Sequence, residues 1–280
     1  TNHLPSPSRP PFSGILRPTN TKAMKTKRAI TIGEELNKKL LDHEFNCTDV
    51  FTERYSNAKI VARHYCQAEN AVAVLSNMPL DTSYICYGHL GEKLNLGNGV
   101  EEVASIWESR LIELIHPDDI AEKKAWELQF LTFMNTLPQE RKSDYYLQHY
   151  LRMRDARGNF LTIRHRIFYL DFDADGNVQL TLCLYTVASQ NTGVTGIIHS
   201  LDDRLVSQSS FNIQGLLSMR EREILAHICS GKSSKQIADH LNISNNTVNN
   251  HRQNILRKLQ CQNTTEAIVV AGKLGILGAK

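Results

Sequence analysis

Residues 217–259 read LSMREREILAHICSGKSSKQIADHLNISNNTVNNHRQNILRKL, a stretch whose spacing of apolar residues predicts three short helices. Ser218 lies three residues before Glu221, and Ser233 lies three residues before Gln236, so each pair can form a capping box where a helix begins. The second of these helices leads through a short turn into the third, and together they form a helix-turn-helix. We predict helices over 219–230, 234–241 and 245–259.

The third predicted helix has two different faces. Val248, Ile255 and Leu259 form an apolar stripe that can pack on the first two helices. Amide side chains follow helical spacing on the opposite side, namely Asn246, Asn249, Asn250 and Gln253. We call these four residues the amide face. Such amides can donate to and accept from adenine in a major groove, whereas the plainer interpretation is an ordinary solvated face.

Basic residues flank the amide face and favour a nucleic acid as its partner. Those able to neutralise phosphates are Lys232, Lys235, Arg252, Arg257 and Lys258. Residues 217–280 contain nine basic and four acidic residues, and residues 1–28 contain six basic residues and no acidic one. The residues between these two segments contain 17 basic and 25 acidic residues. Only the two ends of the chain therefore suit a polyanion.

Four motifs follow one another in this region. They are LS-x-RE-x-EIL from Leu217, GKSSKQIA from Gly231, L-x-IS-x-x-TV-x-x-H from Leu241 and NI-x-x-KL from Asn254. In order and spacing they resemble the DNA-binding domain of LuxR-type transcription regulators, over about the last quarter of the chain. A region of sigma factors has a similar helical design, but no other polymerase-binding region is apparent.

The resemblance implies roles for individual residues. Positions matching Asn249, Asn250 and Gln253 face bases in that family, and the position of Thr247 lies near a phosphate. Many members have Lys where this chain has Asn249, so their target sequences cannot be carried over to this chain. The base-facing positions agree with the amide face identified from the helical spacing.

A fourth helix is predicted after Asn263, which can cap it together with Glu266. The helix is apolar enough to close the core of its own domain. The resemblance implies a second use, because the family's fourth helix pairs two DNA-binding domains so that their recognition helices meet half-sites about one turn apart. The residues predicted to make this dimer contact are Ile268, Ala271 and Leu274.

The N-terminal part begins with a tail, residues 1–28, that holds five of the eight prolines and no acidic residue. This composition predicts a disordered basic tail. An upstream extension before Met24 is favoured over an arm that touches DNA. Residues 33–42 and 51–68 have helical apolar spacing and predict an N-terminal helical cap over 29–69.

Residues 70–188 predict a mixed domain. Short strands are expected at 71–75 and 83–87, helices at 100–114 and 120–137, and three antiparallel strands at 145–154, 160–169 and 178–187. Between the helices stands Ile115-His116-Pro117-Asp118-Asp119, where Pro117 can end one helix and Asp118 can cap the next. This order of elements resembles a PAS domain, a fold that senses signals through a pocket, a cofactor or partner contact and that often dimerises.

Other patterns are weaker indications of a site. Asp171-x-Asp173-x-Asp175-Gly176 imitates a calcium loop, but its twelfth position is Leu182 instead of Glu, so a hairpin turn is favoured. His116 is interpreted as a capping residue and not as a haem ligand. Six cysteines without a Cys-x-x-Cys pair predict reduced, mostly buried thiols and no metal site.

The sequence thus predicts an α+β chain. It contains a PAS-like antiparallel sheet with helices. A linker over 189–215 follows, with an ordered stretch at 197–201. The chain ends in an all-α four-helix LuxR-type helix-turn-helix domain over 216–280. We expect a cytoplasmic, non-enzymatic regulator that binds double-stranded DNA as a homodimer and does not bind a membrane. A small-molecule signal is expected in the PAS-like domain, and the cofactor is unknown. The alternative is that the PAS-like region is a ligand-free dimerisation or protein-docking module.

Overall fold

The structure is a computed structural model that describes residues 30–45, 48–188, 196–200 and 216–277. The predicted basic tail, 1–28, lies outside the described residues, as does the predicted linker apart from residues 196–200. The described chain is α+β, with a sheet and its helices first and four helices last. Among these residues, no helix combines the length and apolar composition that crossing a bilayer requires.

The elements of the N-terminal domain follow the predicted order with two additional strands and one additional short helix. They are α1 Ile32–Leu41, α2 Asp49–Ala68, β1 Val72–Asn77, β2 Thr82–Tyr87, α3 His89–Lys93, β3 Gly99–Val103, α4 Ser109–Ile112, α5 Pro117–Met134, a 3-10 turn Gln139–Asp144, β4 Tyr145–Arg154, β5 Phe160–Phe172, β6 Val178–Val187 and β7 Gly196–Ser200.

The strands form one antiparallel sheet in the order β3-β2-β1-β6-β5-β4-β7. The interior strand β1 is buried on both faces, so its first four residues are a continuous apolar run without alternation. Helix α2 covers one face, where Ala62 packs with Ala73 and Leu75 of β1. On the other face, Val72 and Val74 join a cluster with residues of α3 and α4.

The predicted helix over 100–114 is wrong in its first part. Residues Gly99–Val103 are strand β3, paired with β2 at the edge of the sheet, and only Ser109–Ile112 is helical. Gly97 and Gly99 both have φ +92°, a conformation that glycine adopts without steric cost. These glycines turn the chain back beside β2. The free edge of β2 then supplies the backbone hydrogen-bond partners of β3.

Two further boundaries differ from the predictions. Helix α5 begins at Pro117, and its N-cap is His116 instead of Asp118, because the His116 Nδ1 accepts from the backbone N–H of Asp118 at 3.3 Å. Capping by His116 agrees with the role predicted for that residue. Within the predicted linker, Gly196–Ser200 is strand β7 and pairs with β4, so these five residues are part of the sheet.

The C-terminal domain has the four predicted helices, α6 Met219–Cys229, α7 Ser234–Leu241, α8 Asn245–Leu259 and α9 Thr264–Lys273. Both predicted capping boxes are present, at Ser218 with Glu221 and at Ser233 with Gln236. The apolar stripe of α8 is buried as predicted and packs with the inward residues of α6 and α7. The core residues of this domain include Ile224, Leu225, Ile237, Val248, Ile255 and Leu259.

Helix α5 is the element that joins the two domains. Eleven of its residues are buried, so nearly the whole circumference of the helix is covered. It contacts α1 and β4 within its own domain and α9 of the C-terminal domain. Lys124 Nζ donates to Gln260 Oε1 across this contact at 2.9 Å, and one hydrophobic cluster continues from α1 and α5 into the four C-terminal helices.

An ion pair connects α8 to the cap of α6. Lys258 Nζ lies 2.6 Å from Glu221 Oε2, and the two side chains are only 12% and 5% exposed. Burial opposes ionisation of Glu221, but the hydrogen bonds from Lys258 and Ser218 outweigh it and lower the pKa of the carboxyl. Glu221 therefore serves the capping box and the ion pair together.

We expect Glu221→Gln to destabilise the protein by about 3 kcal/mol, because it leaves the buried Lys258 ammonium without its charged partner. Glu223→Gln is the matched control on the same helix, since Glu223 pairs with Arg220 at the surface and contributes about 1 kcal/mol or less. Urea unfolding followed by circular dichroism measures both. Equal losses for the two variants would contradict the structural role of Glu221.

The pKa of Glu221 also sets a direction for the pH dependence of stability. Because the folded-state pKa lies below the unfolded value, the stabilisation is complete above the unfolded pKa and is lost as the pH falls through the folded pKa. We expect the free energy of unfolding to fall on acidification by a smaller amount in Glu221→Gln than in the unchanged protein. An identical acid dependence would argue against this contribution.

Candidate nucleic-acid interface

The amide face of α8 points away from the protein. All four of its residues are exposed, whereas Val248, Ile255 and Leu259 on the opposite side are 0%, 2% and 0% exposed. The helical spacing therefore separates the two faces in the way that the sequence indicates. Base contact by the amide face stays a prediction.

The start of α8 is fixed by its cap and by the turn before it. Ser244 Oγ accepts from the Thr247 backbone N–H at 3.0 Å and lies 2.8 Å from the Thr247 hydroxyl. Asn242 ends α7 in the left-handed conformation, with φ 52°, which lets the chain reverse within a few residues. These contacts fix the orientation of α8, and with it the amide face, relative to α7.

The predicted phosphate-binding residues differ in how accessible they are. Lys235 and Arg257 are exposed, and Arg257 NH2 donates to Asn254 at 3.3 Å. Lys232 and Arg252 are half-buried, with Lys232 Nζ 3.1 Å from His227 Nδ1 and Arg252 NH2 donating to Thr264 at 3.1 Å.

Lys258 lies in a different environment from the other residues predicted to contact phosphates. The sequence places it beside the amide face, but its ammonium is held in the buried pair with Glu221. Neutralising a phosphate would require breaking this pair and leaving the carboxylate buried alone, which is costly. Lys258 is therefore a structural residue of the C-terminal core.

The residues of α9 that are predicted to make a dimer contact also differ in how accessible they are. Ala271 and Leu274 are 0% exposed and belong to the core of their own domain, while Ile268 is half-buried. Val269, by contrast, is 45% exposed, so it is an apolar residue of α9 that a partner can reach. Helical spacing alone does not show which apolar stripe of a short helix faces its own core.

A second candidate site lies in the N-terminal domain, where the sequence predicted a small-molecule signal but did not indicate the residues that would bind it. A cavity of about 50 Å³, partly open to solvent, lies between α1, α5 and the sheet. Two glutamates and one lysine line it, each less than 10% exposed: Glu108, Lys123 and Glu127. The available signal was the spacing of Lys123 and Glu127, which lie four residues apart and so share one face of α5.

The polar residues continue from the cavity into the sheet. Lys123 Nζ donates to Glu127 Oε1. His165 lies 2.7 Å from His149, between Nδ1 and Nε2, and its ring stacks on Tyr185 at 4.1 Å between centroids. Burial, His149 and the Lys123 charge lower the pKa of His165 well below its ordinary value, so the imidazole is neutral.

One group of these residues has the spacing of metal ligands. Potential ligand atoms of Glu127, His149 and His165 lie within 4.8 Å of one another. The Lys123 ammonium, however, already pairs with Glu127, so a divalent cation would compete with this pair beside a buried positive charge. This electrostatic competition does not favour a metal.

Two weaker patterns in the sequence have structural roles. Asp173 Oδ1 accepts from the backbone of Asp175 and Asn177 at 3.0 and 2.8 Å, and Asp171 pairs with Arg54 at 2.6 Å, as expected for a hairpin turn. The described cysteines are free thiols, three of them buried: Cys66, Cys86 and Cys261.

Comparison with known proteins places the C-terminal domain in a family. The profile described as "GerE: Bacterial regulatory proteins, luxR family" matches residues 215–271. The HTH-type quorum-sensing regulator RhlR of Pseudomonas aeruginosa is 49% identical over 61 residues, which are 22% of this chain and 25% of RhlR. The chain thus spans about a quarter of the length of this relative.

Among solved structures, the crystal structure of the phage VqmA-DPO complex covers 82% of this chain and 93% of that chain, with 16% identity and a TM-score of 0.26. At this score the likeness carries no weight for function.

The spore germination protein GerE of Bacillus subtilis is 35% identical over 72 residues, which are 26% of this chain and 97% of GerE. Because nearly all of GerE is matched at this identity, the chain belongs to the luxR family of bacterial regulatory proteins.

Proposed function

We propose that the chain is a transcription regulator that binds double-stranded DNA as a homodimer under the control of a small-molecule signal. The observation that carries the DNA-binding part is the exposed amide face on α8 of a luxR-family domain. Asn and Gln side chains can each form two hydrogen bonds to adenine, which gives sequence preference in the major groove. In this proposal α8 enters the groove with that face toward the bases.

The accessible basic residues supply the attraction to the DNA backbone. Lys235 and Arg257 are exposed and neutralise phosphates directly, while Lys232, Arg252 and Thr247 are half-buried and contact phosphates at the edge of the interface. Phosphate contacts contribute most of the affinity and little sequence information. Affinity and specificity are therefore assigned to different residues of one domain.

Control of DNA binding is assigned to the contact between α5 and α9. In this family the fourth helix pairs two DNA-binding domains, whereas here α9 contacts α5 of its own chain. Lys123 and Glu127 of α5 line the cavity, and Lys124 between them donates to Gln260. We propose that a molecule in the cavity shifts α5, weakens this contact and frees α9 to pair with a second copy.

The alternative function is a ligand-free docking or dimerisation module over 70–188 attached to a constitutive DNA-binding domain. The buried charges that line the cavity favour sensing, because a purely structural core is more stable with apolar residues in such positions. Native mass spectrometry of the purified chain discriminates between the two. A retained small molecule favours sensing, and its consistent absence under saturating cell extract favours the docking module.

Selection of binding sites from a random duplex pool tests the proposed function as a whole. We expect the full chain to enrich an inverted repeat whose half-sites are about one helical turn apart, because a symmetric dimer reads a symmetric site. Enrichment of a single half-site would contradict dimeric binding. No enrichment, either alone or with cell extract, would contradict sequence-specific DNA binding.

Substitutions in the amide face and in the flanking cations should have different effects. We expect Asn250→Ala or Gln253→Ala to cost about 1 to 3 kcal/mol on the selected site and to relax preference at particular bases. Lys235→Ala should weaken all sequences alike and reduce the slope of log affinity against log salt by about one. Fluorescence anisotropy with matched and base-substituted duplexes measures both effects. Equal, sequence-independent losses in all three variants would refute the assigned face.

Loosening the contact between the domains should strengthen DNA binding. We call the arrangement in which α9 contacts α5 of its own chain the docked state. We expect Lys124→Ala to raise affinity for the selected duplex about fivefold, since it removes one hydrogen bond worth about 1 kcal/mol from the docked state. Lys93→Ala is the matched control, because it removes the same charge from an exposed position at the end of α3. If Lys124→Ala binds no more tightly than Lys93→Ala, the docked contact does not restrain the DNA-binding domain.

A further inference from the structure

We propose that the cavity between α1, α5 and the sheet binds a small primary amine with an apolar body. The inference rests on the proposed sensing function and names the chemical class of its signal. The cavity holds only a few water-sized spheres, about 50 Å³, and is partly open to solvent, so it suits a small organic molecule better than a long acyl chain. The side chains that line the cavity favour an amine.

The walls of the cavity supply an apolar surface. Leu36 and Leu40 come from α1, Ile106 and Trp107 from the loop after β3, and Ile167 from β5. Burying an alkyl group against such side chains is favourable in proportion to the area removed from water. The walls therefore select a ligand with an apolar part.

The charges in the cavity do not balance. Two carboxylates, Glu108 and Glu127, face one ammonium, Lys123, and all three residues are less than 10% exposed. Lys123 donates to one oxygen of Glu127, and the other oxygen of that carboxylate is buried without a hydrogen-bond partner among the described residues. A ligand ammonium supplies both the missing positive charge and the missing N–H donors, whereas a ligand carboxylate would add to the excess negative charge.

Glu108 is the group whose ionisation the ligand should control. Burial raises the pKa of its carboxyl to about 7, against the opposing effect of the Lys123 charge. Burial also raises the pKa values of Cys183 and Tyr185 well above their ordinary range, so these neighbours stay neutral near pH 7. The titratable groups that face Glu108 are Lys123 and Glu127 of α5, Cys183 and Tyr185 of β6, and Tyr87 of β2.

A pH dependence follows with a definite sign. An ammonium pairs with Glu108 only when that carboxyl is ionised, so affinity for an amine should rise as the pH increases through about 7. An uncharged amide of the same shape gains nothing from this ionisation. The ratio of the two affinities therefore reports on the charge of the cavity.

The test uses three compounds with the same branched alkyl body, namely isoamylamine, isovaleramide and isovalerate, titrated into the full chain by calorimetry. Such small ligands bind in the millimolar range at best. We expect isoamylamine to bind about tenfold more tightly than isovaleramide at pH 8 and by a smaller factor at pH 6, and isovalerate to bind weakest. Equal or tighter binding of the amide or the carboxylate, or no saturable binding of the amine, would overturn the inference.

Two variants assign the preference to the cavity. Glu108→Gln should remove the advantage of the amine over the amide, and it should fold, because Lys123 keeps Glu127 as its partner. Glu113→Gln changes an exposed carboxylate nearby and should leave the advantage intact. An advantage that survives Glu108→Gln would place the amine elsewhere and overturn the site.

The proposed DNA-binding function is tested separately by duplex binding without any amine. Failure of the amine titration with intact DNA binding would refute the inference about ligand class alone. Loss of sequence-specific DNA binding with intact amine binding would refute the proposed function and leave the cavity site standing. The two failures are therefore distinguishable.

Discussion

The burial of α5 is the constraint on which the rest of the structure depends. This helix lies against α1 and the sheet within its own domain and against α9 of the next, so few of its residues reach solvent. A helix in this position would ordinarily be apolar all round. The two charges that α5 nevertheless buries, Lys123 and Glu127, have to satisfy each other, and they do so at the wall of a cavity that also carries a third buried acidic residue, Glu108. The same helix thus provides both the polar lining of the proposed binding site and the platform for the DNA-binding domain.

The features predicted well from the sequence are those decided by local chemistry. Capping boxes at Ser218 and Ser233 act within one turn of helix, so spacing alone reveals them, and the turn at Asp173 is held by its own side chain. The features missed are those decided by distant partners. Strand β3 exists because β2 offers a free edge, and the role of Lys258 is decided by Glu221, 37 positions earlier in the chain. The cavity likewise needs α1, α5 and the sheet together, which no single stretch of sequence shows.

The proposed base-reading and control functions lie on different elements of one small domain. The amide face of α8 is exposed in the docked arrangement, so contact between α9 and α5 does not cover the residues assigned to bases. What the contact occupies is the helix that the family uses for pairing. A docked chain in this account still touches DNA with one recognition helix but cannot bring two of them to a repeated site. The burial of Ala271 and Leu274 fits this division, because those residues hold α9 on its own domain and leave its remaining surface for a partner.

Hydrogen exchange of the full chain, measured with and without the selected duplex, tests the central claim that α5 holds α9 until DNA-bound pairing replaces that contact. The account predicts that binding of the duplex slows exchange in α8 and speeds it in α5, as the Lys124 to Gln260 contact opens, while α9 stays protected through its new partner. Unchanged exchange in α5 at saturating duplex, with α8 protected, would contradict the claim that the contact must open before two copies can bind the repeated site as a pair.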